Sequence, residues 1–153
     1  MDINYLEKRV FAGQVARAGE SGVIAMTYVN KDDKSIPFGV FVAQKEDGVG
    51  IVSKADDNIV GVSLKLGSKN ENKPDEPLSV LAIPHGTEVW VKGSYEHGLD
   101  VGDEAIISVD GMFGGTVAKS PSLAVEASKG KFYVTGVVTG ADGDLIKIMR
   151  KEA

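Results

Sequence analysis

The fold class follows from one stretch near the C-terminus, residues 137–149, which reads Val-Val-Thr-Gly-Ala-Asp-Gly-Asp-Leu-Ile-Lys-Ile-Met. Two apolar runs flank an Asp-Gly pair. Both central residues of a type I′ turn need positive φ, and Asp-Gly supplies them at low cost. In the second run Ile146 and Ile148 alternate with a lysine, as expected for a strand with one buried face. The stretch therefore predicts a β-hairpin around Ala141-Asp142-Gly143.

The same pattern recurs along the chain. Further Asp-Gly pairs stand at 47–48 and 110–111, and the second predicts a hairpin over Ala105–Ala118. Glycine supplies 19 of 153 residues, and helices tolerate glycine poorly. No segment shows a convincing amphipathic helix, so we expect an all-β fold, a β-sandwich or jelly roll. The candidate strands are Val23–Val29, Gly39–Ala43, Gly50–Ser53, Ile59–Leu64, Leu78–Ile83, Thr87–Lys92, Ala105–Val109, Thr116–Ala118, Lys131–Val138 and Leu145–Met149.

The length of 153 residues predicts a single domain over 1–153. Residues 1–20 lack strand alternation, so we expect an extended N-terminal arm there, or a short helix around Tyr5–Arg9. The β domain is predicted over residues 21–150. Within it, Gly67–Pro77 is polar and contains two prolines, which predicts an exposed loop.

Charge and composition exclude several classes of function. The chain has 17 basic and 22 acidic residues, a net charge of −5, whereas a phosphate-neutralising nucleic-acid binder needs the opposite balance. It has no cysteine, which excludes disulfides and thiolate chemistry. No apolar run approaches the roughly 20 residues of a membrane span. We therefore expect a soluble protein, used without export, that binds neither nucleic acid nor membrane.

The residues that could carry catalysis are few. The two histidines are His85 and His97, and neither has the closely spaced companions of a metal site. The nearest partners for a nucleophilic site would be Ser79, Ser94, Asp100 and Asp103. No Gly-x-Ser-x-Gly motif is present. We expect no catalytic site, no metal and no cofactor.

One aromatic residue stands out in the predicted strand Thr87–Lys92. Trp90 shares a polar face with Glu88 and Lys92, opposite the face of Val89 that is predicted to be buried. An aromatic on a polar face predicts a surface aromatic, at an interface or in a sheet-packing position. An exposed tryptophan could stack on a sugar, so a carbohydrate- or receptor-binding β-sandwich is one alternative function. A small all-β hydrolase or nucleotide-processing enzyme is a second alternative.

Several motifs occur in a characteristic order. Gly-Gln-Val-Ala at 13–16 precedes Ser-Ile-Pro-Phe-Gly at 35–39, then Ile-Val-Gly-Val at 59–62. The Pro- and Gly-containing stretch from Val80 to Trp90 and a Gly-Asp-Glu-Ala strand at 102–105 follow. From about Val10 to Met149 the chain resembles the structural cement, or head-decoration, proteins of tailed bacteriophages.

The resemblance implies a structural protein of the virion that binds the outer surface of the phage head and stabilises it. Its implied partners are the major capsid protein and further copies of itself, as a dimer or trimer. Assembly would take place in the cytoplasm of the bacterial host. Residues 1–12 would form an adhesive arm, with capsid contacts expected at Ile3, Tyr5, Leu6 and Phe11.

Overall fold

The fold, obtained as a computed structural model, consists of β-strands joined by turns and loops. The structure describes residues 12–17, 25–65, 71–83, 86–109, 114–140 and 143–151. The helix found in these ranges is a single 3₁₀ turn, Glu126–Ser128, far too short to cross a membrane. The predicted all-β class is confirmed. The strands are β1 (Val15–Arg17), β2 (Ala25–Val29), β3 (Phe41–Lys45), β4 (Gly48–Ile51), β5 (Ile59–Ser63), β6 (Pro77–Leu81), β7 (Glu88–Lys92), β8 (Glu104–Ile107), β9 (Val117–Ala118), β10 (Phe132–Gly140) and β11 (Gly143–Arg150).

One sheet has six strands in the order β1-β7-β11-β10-β8-β9, paired antiparallel. The hairpin predicted near the C-terminus is confirmed: β10 and β11 pair from Phe132↔Arg150 to Gly140↔Gly143. The second predicted hairpin is confirmed by the antiparallel pairing of β8 with β9. Residues 141–142, which join β10 to β11, and residues 110–113, in the loop between β8 and β9, lie outside the described residues.

Strand β1 lies within the segment that we expected to be an arm. It pairs antiparallel with β7, with Val15 opposite Val89, so the prediction of an arm over residues 1–20 is wrong for this part. The backbone explains the pairing, because Gly13 N–H donates to the Trp90 carbonyl at 2.8 Å. A three-residue strand is too short to show alternation in the sequence. The extent of the domain as a whole stays a prediction.

The other sheet has five strands in the order β2-β6-β5-β3-β4, again antiparallel. Strands β3 and β4 form a tight hairpin at the first Asp-Gly pair, where Asp47 has φ 61°. Asp tolerates this left-handed conformation better than most residues. Two antiparallel sheets confirm the predicted sandwich, whereas jelly-roll connectivity stays a prediction.

The main core lies between the two sheets. The five-stranded sheet contributes Phe41, Val62 and Leu81, and the six-stranded sheet contributes Val89 and Ile146, all at most 1% exposed. Each fully buried side chain of this size stabilises the fold by about 1.5–3 kcal/mol. The alternation predicted for β7 is confirmed on this side, because its valines face the core.

A second, smaller core covers the other face of the five-stranded sheet. Ile36 is fully buried there and pairs with Asn72 as an isolated bridge. Asn72 is only 2% exposed, so the predicted exposure of the loop at 67–77 is wrong at this position. The cause is a polar network, in which Asn30 Nδ2 donates to the Asn72 carbonyl at 2.9 Å. Residues 67–70 lie outside the described part of the chain.

The backbone of Gly39 is hydrogen-bonded to both sheets. Its N–H donates to the Ser63 carbonyl in the five-stranded sheet, and its own carbonyl accepts from Lys92 N–H in the six-stranded sheet, both at 2.8 Å. Gly39 has φ 74°, and a Cβ there would lie 2.5 Å from the Cβ of Ala12. Only glycine fits both the conformation and the space.

Gly13 makes the same kind of link from the N-terminal side. Its N–H donates to Trp90 in β7, and its carbonyl accepts from Lys65 N–H just beyond β5, at 3.2 Å. With φ 80°, it also occupies a left-handed conformation. We call Gly13 and Gly39 the glycine junction. Both belong to the motifs on which the family resemblance rests.

We expect Ser63→Ala to destabilise the fold by about 1–3 kcal/mol, because buried polar groups next to the junction lose a partner. The Ser63 hydroxyl donates to the Pro37 carbonyl at 2.7 Å and accepts from Val40 N–H at 3.3 Å, and Ser63 is 0% exposed. The measurement is urea unfolding at neutral pH.

The matched control is Ser79→Ala. Ser79 lies on the adjacent strand β6, and its hydroxyl makes no hydrogen bond to another described residue. We expect this variant to stay within about 0.5 kcal/mol of the wild type. Equal losses in both variants would contradict the role assigned to Ser63.

Candidate interaction surfaces

The four apolar residues predicted to contact a capsid lie outside the described residues. These are Ile3, Tyr5, Leu6 and Phe11. The described chain begins at Ala12, beside the glycine junction. Capsid contact through these four side chains therefore stays a prediction.

Trp90 lies on the outer face of the six-stranded sheet but is only 8% exposed. On β11 the opposite residue is Lys147, whose ammonium lies 5.5 Å from the centroid of the ring. Glu88 holds the same ammonium at 3.6 Å. The prediction of a surface aromatic is therefore wrong, because side chains of the same sheet face cover the ring. The ring of Trp90 is therefore not exposed for a sugar to stack on, which removes the basis for a carbohydrate-binding surface at this residue.

His97 lies in the loop after β7 and has both ring nitrogens engaged. Its Nε2 is 2.7 Å from Asp144 Oδ2, and Leu99 N–H donates to its Nδ1 at 2.9 Å. Because Nδ1 accepts a hydrogen bond, the proton of the neutral ring is on Nε2 and is donated to Asp144. The acids closer in sequence, Asp100 and Asp103, are not its partners.

The candidate nucleophiles do not meet this histidine. The Ser94 hydroxyl lies 2.6 Å from Thr116 Oγ1, and Ser79 lies in the other sheet. His85 lies outside the described residues. Among the residues that the structure does describe, no cluster of three or more His, Asp or Glu side chains could hold a metal ion. The described residues therefore assemble neither a Ser–His pair nor a metal site.

The His97–Asp144 pair fastens the end of the β10–β11 hairpin to the loop after β7. Backbone bonding adds to it, because Gly93 N–H donates to the Asp144 carbonyl at 3.1 Å. The hydrogen bond from His97 lowers the pKa of Asp144, since it stabilises the charged carboxylate, and one from Thr139 acts in the same direction. The pair thus holds this loop in place.

Large apolar side chains are exposed on this loop and beside it. Tyr95 is 93% exposed and Leu123 is 53% exposed, and both border a depression of about 480 Å³ together with Lys119 and Pro121. We call these four residues the loop-end surface. A depression bordered by two large exposed apolar side chains is a candidate interaction site. Sequence reasoning missed Tyr95, although its position in the turn-rich stretch 93–98 separates it from the aromatics placed in strands.

We expect Asp144→Asn to destabilise the protein at pH 7 but progressively less in acid. The folded state lowers the pKa of Asp144 from its ordinary value of 3.8. The charged carboxylate therefore stabilises the fold above that pH, and the contribution is lost as the pH falls through the folded-state pKa. Urea unfolding of the wild type and of Asp144→Asn, at a series of pH values from 7 to below 3.8, measures the difference in their free energies of unfolding.

The control is Asp100→Asn, because Asp100 is exposed and its carboxylate accepts no hydrogen bond from another described residue. It should follow the wild type at every pH. A difference between Asp144→Asn and the wild type that does not change with pH would contradict the role of the charge.

A solved structure described as the capsid of Myoviridae Phage XM1 contains a chain of similar fold. The TM-score is 0.66 and the sequence identity is 12%, and the match covers 92% of this chain and 89% of that chain. At this identity the likeness shows the shared fold alone. No curated protein matches the sequence at a significant level.

Residues 3–151 match a protein family described as structural cement protein (E217 gp24/Pam3 gp6). The match spans nearly all of the 153 residues, including the strands, the glycine junction and the loop-end surface. It confirms the resemblance carried by the Gly-Gln and Ile-Pro-Phe-Gly motifs. The chain therefore belongs to the phage structural cement protein family.

Proposed function

We propose that this virion protein binds the outer surface of an assembled phage head, as a dimer or trimer, and reinforces the shell through the major capsid protein. The family match over residues 3–151 carries the proposal, since a cement protein has a structural, non-enzymatic role. Contacts that exist only in the assembled shell stabilise it by mass action. The test is saturable co-sedimentation with shells that lack this protein.

The loop-end surface is the contact region that the described residues favour. Tyr95 presents almost its whole side chain to solvent, and tyrosine is enriched at protein interfaces because it is large, rigid and amphipathic. The His97–Asp144 pair at 2.7 Å holds the loop that carries it. A loop held in place loses little conformational entropy on binding, so more of the contact energy is retained.

We expect the double substitution Tyr95→Ala and Leu123→Ala to weaken shell binding by about 30-fold, because truncating central apolar contacts removes roughly 2 kcal/mol or more. Co-sedimentation with shells at increasing protein concentration measures the change. The matched control is Met26→Ala, since Met26 is also exposed, at 61%, but lies on β2 in the other sheet. Equal losses in the two variants would contradict the assignment of the loop-end surface.

We expect deletion of residues 1–11 to abolish shell binding while the fold is retained. The deletion removes Ile3, Tyr5, Leu6 and Phe11 but spares Gly13, whose N–H bonds to β7 at 2.8 Å. Burying apolar side chains of this size contributes about 1.5–3 kcal/mol each. Circular dichroism checks the fold and co-sedimentation checks the binding. Undiminished binding by the shortened chain would rule out the arm as a contact.

A further inference from the structure

A cleft opens between the two sheets where β5 and β6 separate. These strands pair only through Val62↔Leu81 and Ser63↔Val80. The part of β5 before Val62 and the chain that follows β6 therefore leave a gap in the wall of the sandwich. The cleft has a volume of about 440 Å³, within the usual range of ligand sites. It is separate from the loop-end surface.

The floor of this cleft is apolar. Phe41 and Ile107, each 1% exposed, lie at the bottom, and the half-buried Phe132 forms part of the wall. The rings of Phe41 and Phe132 pack with their centroids 5.3 Å apart. On the rim, Ala82 is exposed. An apolar side chain entering here would continue the packing of the main core.

Two cations line the same cleft without a carboxylate partner. Lys131 and Arg150 make no ion pair with any described residue, and no Asp or Glu is among the residues that line the cleft. Their neighbours along the chain behave differently, because Lys129 pairs with Glu126 at 3.1 Å and Lys151 with Glu104 at 3.8 Å. In a protein of net charge −5, an opening lined by two cations that have no carboxylate partner among the described residues favours an anionic ligand.

The position of Arg150 follows from the register of β11. Ile146 and Ile148 face the core, and Arg150 follows them on the same side, opposite Phe132 on β10. The guanidinium thus lies at the edge of the apolar floor rather than on the outer face of the sheet. Asp144, next to the loop-end surface, is six residues away along the strand, or about 20 Å.

We propose that this cleft binds a segment of the capsid shell in which an apolar side chain stands next to a carboxylate. The apolar side chain enters above Phe41, and the carboxylate meets Lys131 and Arg150, whose guanidinium can hold it with two parallel hydrogen bonds. The inference rests on the proposed function, because it presumes a capsid partner. It adds a second contact and the chemistry of its partner.

The first test reverses the two charges, with Lys131→Glu and Arg150→Glu in one chain. We expect shell binding to weaken by at least about tenfold, because the variant repels the carboxylate. The matched control is Lys129→Glu, two residues from Lys131 and outside the cleft, which should bind within about twofold of the wild type. Raising the salt concentration should weaken wild-type binding more than binding of the double variant.

The second test blocks the cleft without changing its charge. Ala82→Trp places a large side chain at the rim, and we expect it also to weaken binding by at least about tenfold. The control is Ala25→Trp, since Ala25 is exposed on β2, away from the cleft. Thermal unfolding establishes that each variant is folded. If the charge-reversal variant does not fold, the double substitution Lys131→Gln and Arg150→Gln replaces it.

The outcomes separate this inference from the proposed function. Undiminished binding by both cleft variants, with saturable binding by the wild type, overturns the cleft inference and leaves the capsid function intact. A wild-type protein that binds no shells overturns both. Sedimentation velocity without shells covers a further outcome: if the charge reversal abolishes self-association, the cleft holds a second copy of this chain and the inference is overturned.

Discussion

The glycine junction is the constraint on which the rest of the structure depends. The peptide groups of Gly39 bond to Ser63 in one sheet and to Lys92 in the other, so a single residue connects the two layers. Gly13 repeats the connection between β7 and the end of β5. A side chain at either position would collide with backbone atoms. The junction therefore sets how closely the sheets approach, and hence how the main core is filled.

Polar networks allow irregular segments to be held against the sheets without helices. Asn30 is fully buried, and its side-chain amide bonds to the carbonyls of Lys34 and Asn72. Among the described residues, every buried side-chain nitrogen or oxygen has a hydrogen-bond partner. A buried polar group without a partner costs about 1–3 kcal/mol, so these networks remove a penalty that irregular backbone would otherwise carry.

This construction suits a protein that acts by adhesion. A cement protein must present surfaces of fixed shape, because each loop that becomes ordered on binding reduces the affinity. The His97–Asp144 pair holds one loop at the end of the sandwich, and the register of β11 holds Arg150 at the cleft. Both proposed contact regions are thus positioned by the framework, since Asp144 beside the one and Arg150 at the other lie about 20 Å apart along β11.

Local stretches of sequence determined the hairpins of this protein and the buried face of β7. The alternation in β7 predicted that Val89 faces the core, and the Asp-Gly pairs predicted the hairpins, because strand periodicity and turn conformation depend on adjacent residues. Only the tertiary structure decided the burial of Trp90 beneath Lys147, the burial of Asn72, and the pairing of β1 with β7. Each of these depends on groups that are far apart in sequence and meet only when the strands pair or a loop folds against a sheet. The cleft likewise depends on how far β5 and β6 pair.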